Sequence, residues 1–362
     1  MLYRRIDQVA SGDINGRNIY GASKRTLVKE DITLTVGMIS KLKKLGISGI
    51  FIKNKNFPYI KIEENVSQET KIETLACLYY VVDSINSNNK IDLKPIKENV
   101  NKLIQEIDEH KDILVQFTDI RSKENQIFIH TLQVCIVATT IATKLKISKD
   151  GLNIITTTAL LHEMIKNDQS KQHLRELNKM SGAVYTLFNE MKQKIDFFLI
   201  HDIPLPPYKS HANKEVQRYA EILALADCID NLSSQFSDAP ILSPYEAIEF
   251  IMVMTEKIFD FEVVNAFIRS FSIFPNGHSV ELSNDKSGIV VRQNPALPTR
   301  PIVGVFDGDF QKEEAITLSI EEFDLSILPT LFVTSIVSPN SLALEEQNEK
   351  KEKSTQSTKD LI

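Results

Sequence analysis

Cysteine is scarce in this sequence, and its spacing excludes more than its number. Cys77, Cys135 and Cys228 are the three thiols in 362 residues, with no CxxC pair among them. Neither a disulfide framework nor a CxxC motif is therefore available. Each lies in an apolar or helical context and reads as a buried free thiol in a reducing compartment. Long apolar runs are missing too: none approaches the roughly 18 residues a spanning helix needs, so no membrane is expected as a partner. The opening MLYRRIDQ has no apolar h-region, and no secretory signal is expected. Neither sign of charge dominates: 42 basic residues face 48 acidic ones, for a net charge of −6. Nothing there suggests a nucleic-acid groove or an anionic surface as partner. Tryptophan is absent. The expectation is a soluble, cytoplasmic protein.

What is present supports a sizeable core. A hydrophobic content of 42% over 362 residues is enough for two or three domains. Residues 1–62 read as a small α+β module, with β-like runs at Leu27-Val28, Ile32-Thr33-Leu34 and Ile50-Phe51-Ile52. Between them Thr35 to Leu45 forms one amphipathic helix, with Val36, Ile39, Leu42 and Leu45 on a face and Gly46 as its stop. Residues 63–120 form a helical connecting segment. One stripe is Ile72, Leu75, Leu78, Tyr79 and Val82; another is Ile96, Val100, Leu103, Ile104 and Ile107. An antiparallel pair is expected, with a homodimer interface as one use for it.

Residues 121 to about 272 read as nearly all helical, with helices at 126–146, 151–166, 172–192, 213–235, 244–259 and 261–273. From Phe274 the pattern turns to short strands at 279–282, 288–292 and 301–305, a β extension that closes a domain spanning 121–305. Residues 306–344 form a C-terminal segment. The stretch 345–362 is charged, polar and unable to bury surface, and is expected to be disordered. The fold class is mainly α, with an α+β start and a β-rich close.

Chemistry is sought in LNIITTTALLHEMIK, Leu152 to Lys166. Leu152, Ile155 and Ala159 recur at helical spacing and His162 is next on that face, with Glu163 beside it and Lys166 one turn on. An imidazole and an acid at the end of a buried helix are costly unless they pair or bind a cation. His130 shares a helical face with Val134, Val137 and Ile141, where a satisfied core histidine is the bland alternative. Asp227 lies inside the apolar run ILALADCI, where a cap or an ion pair is the bland alternative. His201 follows the apolar run Phe197 to Ile200. Together, imidazoles and carboxylates on buried helix faces suit a first-row divalent metal. Such a metal activates water, which points to phosphoester hydrolysis.

The order of these motifs resembles the HD-GYP proteins, a branch of the HD phosphohydrolase superfamily, over Glu124 to Val303. HTLQV at His130 looks like the family's opening ligand helix, and ALLHEMIK at 159–166 like its ALLHDIGK. ILALADCIDNL at 222–232 looks like the helix bearing the last aspartate ligand, and Phe274 to Pro301 like the closing β segment. Residues 2–52 resemble a module often fused to this domain. The resemblance implies a helical HD-domain bundle that cleaves cyclic di-GMP, or a related nucleotide, at iron or manganese. It implies metal ligation by His130, His162, Glu163, Asp227 and His201, and catalytic roles for Glu163 and Lys166.

Several positions depart from the pattern. The HD dipeptide is His162-Glu163, one methylene longer, and Ile165 replaces the glycine before the lysine. A ligand histidine aligns with Met180, and a thioether is a poor iron ligand beside carboxylates. Pro206-Pro207-Tyr208 stands near the GYP signature, and Asp238 to Ala247 contains no arginine where the family has substrate-binding ones. His173, His211 and His278 match no ligand position; His173, His211 and His110 read as solvated. The expectation is therefore one divalent ion at most and a phosphodiesterase of weakened activity. The alternative is an inactive domain that senses a nucleotide or docks a partner in bacterial signalling.

Overall fold

A computed structural model of the chain describes residues 1–21, 26–55, 57–87, 89–117, 119–165, 182–200, 212–234, 242, 244–305 and 320–336. The chain begins with short strands β1 (Leu2–Arg5), β2 (Ile14–Asn15), β3 (Ile19–Tyr20) and β4 (Thr26–Val28). Helix α1 (Val36–Lys44) and strand β5 (Gly49–Lys53) follow. β5 lies between β1 and β2 in an antiparallel sheet, and β3 pairs with β4. The Thr35 hydroxyl caps α1 by accepting from the Met38 amide at 3.3 Å. Gly46 leaves the helix at a φ of +78°, which only glycine adopts freely. α1 buries Ile39 and Leu42, but Val36 at its first turn points to solvent. Residues 32–34 form no strand; Thr33 makes a single bridge to Ile14.

The helical body then builds up. Helices α2 (Gln68–Asn86) and α3 (Leu93–Glu109) lie where the two apolar stripes predict them, and they pack together. Ser67 and Asp92 cap their first turns. Next come α4 (Gln126–Lys144), α5 (Lys149–Ile165), α6 (Gly182–Ile200), α7 (Lys214–Leu232), α8 (Pro244–Val253) and α9 (Phe261–Ile268). α4 packs on both α5 and α7. By length and composition α4 is apolar enough to cross a membrane, but its residues are mostly buried inside the protein as a core helix. The last two helices end earlier than their apolar pattern predicts. Met254 to Phe259 turns sharply, with Glu256 at a φ of +62°.

A five-stranded antiparallel sheet closes the described chain. Its order is β10 (Val333–Ile336), β6 (Ser279–Leu282), β7 (Ser287–Arg292), β8 (Ile302–Val305), β9 (Glu321–Asp324). The two edge strands lie beyond residue 305, and their exposed, polar residues give little alternation to read.

Two cores form. The larger runs through all the helices from α2 onward and reaches one face of the five-stranded sheet. The smaller gathers residues 2–60 with Ile289 and Val291 of β7, so the first sixty residues share a core with the C-terminal sheet. At that seam the Tyr3 amide donates to Gly277 O at 2.8 Å, and the Tyr3 ring stacks on His278 at 4.5 Å. Gly277 sits at a φ of +81°, and a Cβ there would fall 2.6 Å from Met1 O. A buried ion cluster continues the seam. Arg17 lies 2.8 Å from Glu64, and Lys71 lies 2.8 Å from both Glu64 and Asp119. Burial alone would raise the Glu64 carboxyl, but Lys71 and Arg17 outweigh it and hold it far below the usual range. The thiols of Cys77 and Cys135 are buried and that of Cys228 partly so; none is bridged.

Candidate metal centre

Three helices deliver the site. His130 sits one turn into α4, on the face that carries Val134, Val137 and Ile141 into the core. His162 and Glu163 lie in the last described turn of α5, where Leu160, Leu161 and Ala159 are fully buried. Asp227 lies in the C-terminal half of α7 between Ala226 and Cys228. The apolar stripes that pack α4 on α5 and α7 therefore point these polar groups at one another.

One donor atom from each of His130, His162, Glu163 and Asp227 lies within 4.8 Å of all the others. His130 Nε2 is 3.2 Å from His162 Nε2, 3.2 Å from Asp227 Oδ1 and 3.4 Å from Glu163 Oε1. His162 Nε2 is 3.1 Å from Glu163 Oε1 and 3.3 Å from Asp227 Oδ1. Four ligands held about 2.0–2.1 Å from one ion sit at tetrahedron edges of about 3.3–3.4 Å. The five separations are of that size.

The far nitrogens fix the chemistry of the near ones. His130 Nδ1 lies 2.6 Å from Asp230 Oδ2, and His162 Nδ1 lies 2.6 Å from Ala159 O. A carboxylate and a carbonyl only accept, so both Nδ1 atoms carry the proton and donate it. Each neutral ring then presents an Nε2 lone pair to the same small space, opposite two carboxylate oxygens. Four electron-rich atoms facing inward call for a cation at their centre, and the donor set fits a first-row divalent ion. Without a metal, protons take that role. Burial opposes charge on both rings, yet hydrogen bonds to Asp227, Asp230 and Glu163 hold His130 well above the ordinary imidazole value. Those to Asp227 and Glu163 raise His162, despite the repulsion of His130.

Of the six site residues expected from sequence, the structure brings four together. Lys166 and His201 lie outside the described residues, as do Met180, His173, His211 and the Pro206-Pro207-Tyr208 stretch. His110 is exposed, as its charged neighbours predict. His278 is buried far along the chain, against Tyr3 and Phe51.

Three partners were not read from the sequence. Asp230 is 1% exposed and grips His130, while Arg121 pairs with the other oxygen of Asp230. Asn231 donates from Nδ2 to Asp227 Oδ2 at 3.0 Å, which leaves Oδ1 to face the imidazoles. The signal for Asp230 was present: it is a second acid in the same apolar helix, three residues after Asp227, and it needs a partner for the same reason.

The chain is similar to a cyclic di-GMP phosphodiesterase of Pseudomonas aeruginosa, at 22% identity over 237 residues. The alignment covers 60% of this chain and 56% of the relative, so the chain spans about half the length of the curated protein it matches. No family model matches, and no solved structure matches.

Proposed function

We propose that the chain is an HD-GYP-like, metal-dependent phosphohydrolase, a cyclic di-GMP phosphodiesterase of weakened activity that works in the cytoplasm. The observation that carries this reading is the convergence of two Nδ1-protonated imidazoles and two carboxylates on one ion-sized space. The similarity to a cyclic di-GMP phosphodiesterase supplies the substrate class.

His130, His162, Glu163 and Asp227 would hold iron or manganese. An ion bound there would supply Lewis acidity toward a phosphoryl oxygen and a water acidic enough to ionise near neutral pH. The protein's own share is to fix the ligands. His162 is fully buried and aimed by its bond to Ala159 O, and Asp227 is aimed by Asn231. Glu163 is the more exposed of the two carboxylates, at 12% of its side chain against 4% for Asp227. It is assigned the role of proton acceptor during attack. Lys166, four residues after His162, is assigned to the phosphate, and His201 to a fifth ligand position.

A second reading is an inactive domain that senses the nucleotide or docks a signalling partner. The observation favouring it is that the described donors number four and fit one ion, whereas hydrolysis of this diester would gain from a second. Metal analysis of the purified protein, with a cyclic di-GMP hydrolysis assay in added Mn²⁺ or Fe²⁺, separates the two. Metal uptake with slow turnover supports the weakened enzyme. Nucleotide binding with no turnover under any metal supports the sensor.

A further inference from the structure

Asp230 lies outside the ligand set, yet its carboxylate closes on one member of that set to 2.6 Å. Its Oδ2 is 2.6 Å from His130 Nδ1 and its Oδ1 is paired with Arg121, so one buried carboxylate bridges an imidazole and a guanidinium. Arg121 is itself fixed. Nη2 donates to Gln133 Oε1 at 2.7 Å and Nη1 to Ser234 Oγ at 3.0 Å. Gln133 lies on α4 three residues after His130, and Ser234 lies just past the end of α7. Arg121 thus ties together the two helices that supply His130 and Asp227. The segment carrying it is anchored in turn: the Lys123 amide donates to Leu45 O at 3.0 Å and Asn125 Nδ2 donates to Tyr20 O at 3.1 Å.

We propose that the Arg121–Asp230 pair is the positioning device of the metal centre, holding His130 as the Nδ1–H tautomer with its Nε2 lone pair aimed at the ion. The proposal rests on the metal-centre reading and deepens it. A metal-bound imidazole is commonly oriented through its other nitrogen by an acceptor, whose loss weakens metal binding. Here the acceptor is three residues beyond Asp227 on the same helix face, so α7 supplies one ligand and aims another. The guanidinium sets the sign of the device. It donates to Oδ1, and so the remaining oxygen, not a donor, faces the imidazole.

Asp230→Asn tests this. With Arg121 donating to the amide oxygen, the amide NH₂ faces His130 Nδ1. The ring must then accept at Nδ1 and carry its proton on Nε2, where it blocks ligation. Calorimetric titration of the full chain with Mn²⁺, at a temperature where melts in EDTA show the variant folded, is expected to show affinity weakened about 10–100-fold. Spectra of ¹⁵N-histidine-labelled protein with Zn²⁺ are expected to move the His130 proton from Nδ1 to Nε2. Should Asp230→Asn fail to fold, Arg121→Gln decides: Mn²⁺ affinity falls several-fold as the carboxylate loses its anchor. Affinity within twofold of wild type, or weakened affinity with the His130 proton still on Nδ1, overturns the proposal. Wild-type protein that takes up neither Mn²⁺ nor Zn²⁺ overturns it together with the metal-centre reading.

Discussion

His130 and His162 face each other through their Nε2 atoms at 3.2 Å, although 32 residues separate them in the chain. Each ring is turned that way by an acceptor behind it, Asp230 for one and Ala159 O for the other. Two lone pairs at that distance repel unless a cation lies between them, so the arrangement is stable only when loaded with metal or with protons.

Metal should therefore stabilise the fold. At a free Mn²⁺ concentration one hundred times its Kd, linkage adds about 2.7 kcal/mol to the stability of wild-type protein. Thermal melts with and without Mn²⁺ are expected to separate by several degrees. In Asp227→Asn, which weakens one ligand and leaves the helix intact, the separation is expected to vanish. An equal Mn²⁺ shift in both proteins would show that the ion binds elsewhere.

Glu163 reaches about 1.5 Å further than an aspartate, and this reach is expected to limit the centre. We expect at most one tightly bound ion per chain in wild type. Glu163→Asp combined with Met180→His is expected to raise both metal content, by elemental analysis, and turnover of cyclic di-GMP. Two metals in wild type with fast hydrolysis would refute the limit.

Lys166 is expected to act on substrate, not on metal. Lys166→Ala should weaken nucleotide affinity or turnover by about 10–150-fold, the loss of one charge-assisted contact of about 1.5–3 kcal/mol. Mn²⁺ affinity should be unchanged. A variant with wild-type affinity and turnover would leave the lysine a helix-end charge only.

Lys71 is 5% exposed between Glu64 and Asp119, and removing it takes this ion-pair partner from the mostly buried Asp119 while Arg17 still holds Glu64. Lys71→Met is expected to cost about 3–5 kcal/mol by chemical denaturation. Adding Asp119→Asn should recover part of that loss, because the stranded charge is gone. A single variant as stable as wild type would mean that the cluster contributes nothing to the seam.

His278 should make the fold acid-sensitive. Burial pushes its pKa down to about 4, with nearby backbone hydrogen bonds at Asn276 and Pro275 offsetting part of the shift. The unfolded chain takes up this proton below about pH 6.5 and the folded one only near pH 4, so stability is full above 6.5, falls as pH drops, and levels off below 4. The loss amounts to about 3 kcal/mol. His278→Gln is expected to flatten the dependence in urea titrations between pH 7 and 4. An unchanged slope would assign the sensitivity to other groups.

The sequence by itself determined the presence of the helices and the identity of the convergent groups, but not the helix ends: the helix expected to stop at 192 runs to Ile200, and those expected to reach 259 and 273 stop at Val253 and Ile268. His130, His162 and Asp227 each sit in register with a buried apolar stripe, and a polar group in such a place must meet a partner. Helical period therefore gave the face, and the cost of burial gave the expectation of convergence. It could not give the partners that come from elsewhere. Arg121 lies in a connecting segment with no periodicity, and its place against Asp230 follows only from how α4 and α7 cross. The edge strands at 321–324 and 333–336 carry little alternation, because their neighbours in the sheet, not their own side chains, hold them. The same holds for the first sixty residues. The runs at 27–28 and 50–52 were legible as strands, those at 2–5, 14–15 and 19–20 were not, and 32–34 is no strand; that Ile289 and Val291 complete their core is a fact of tertiary packing, since one sheet face must be covered and no local pattern says by what.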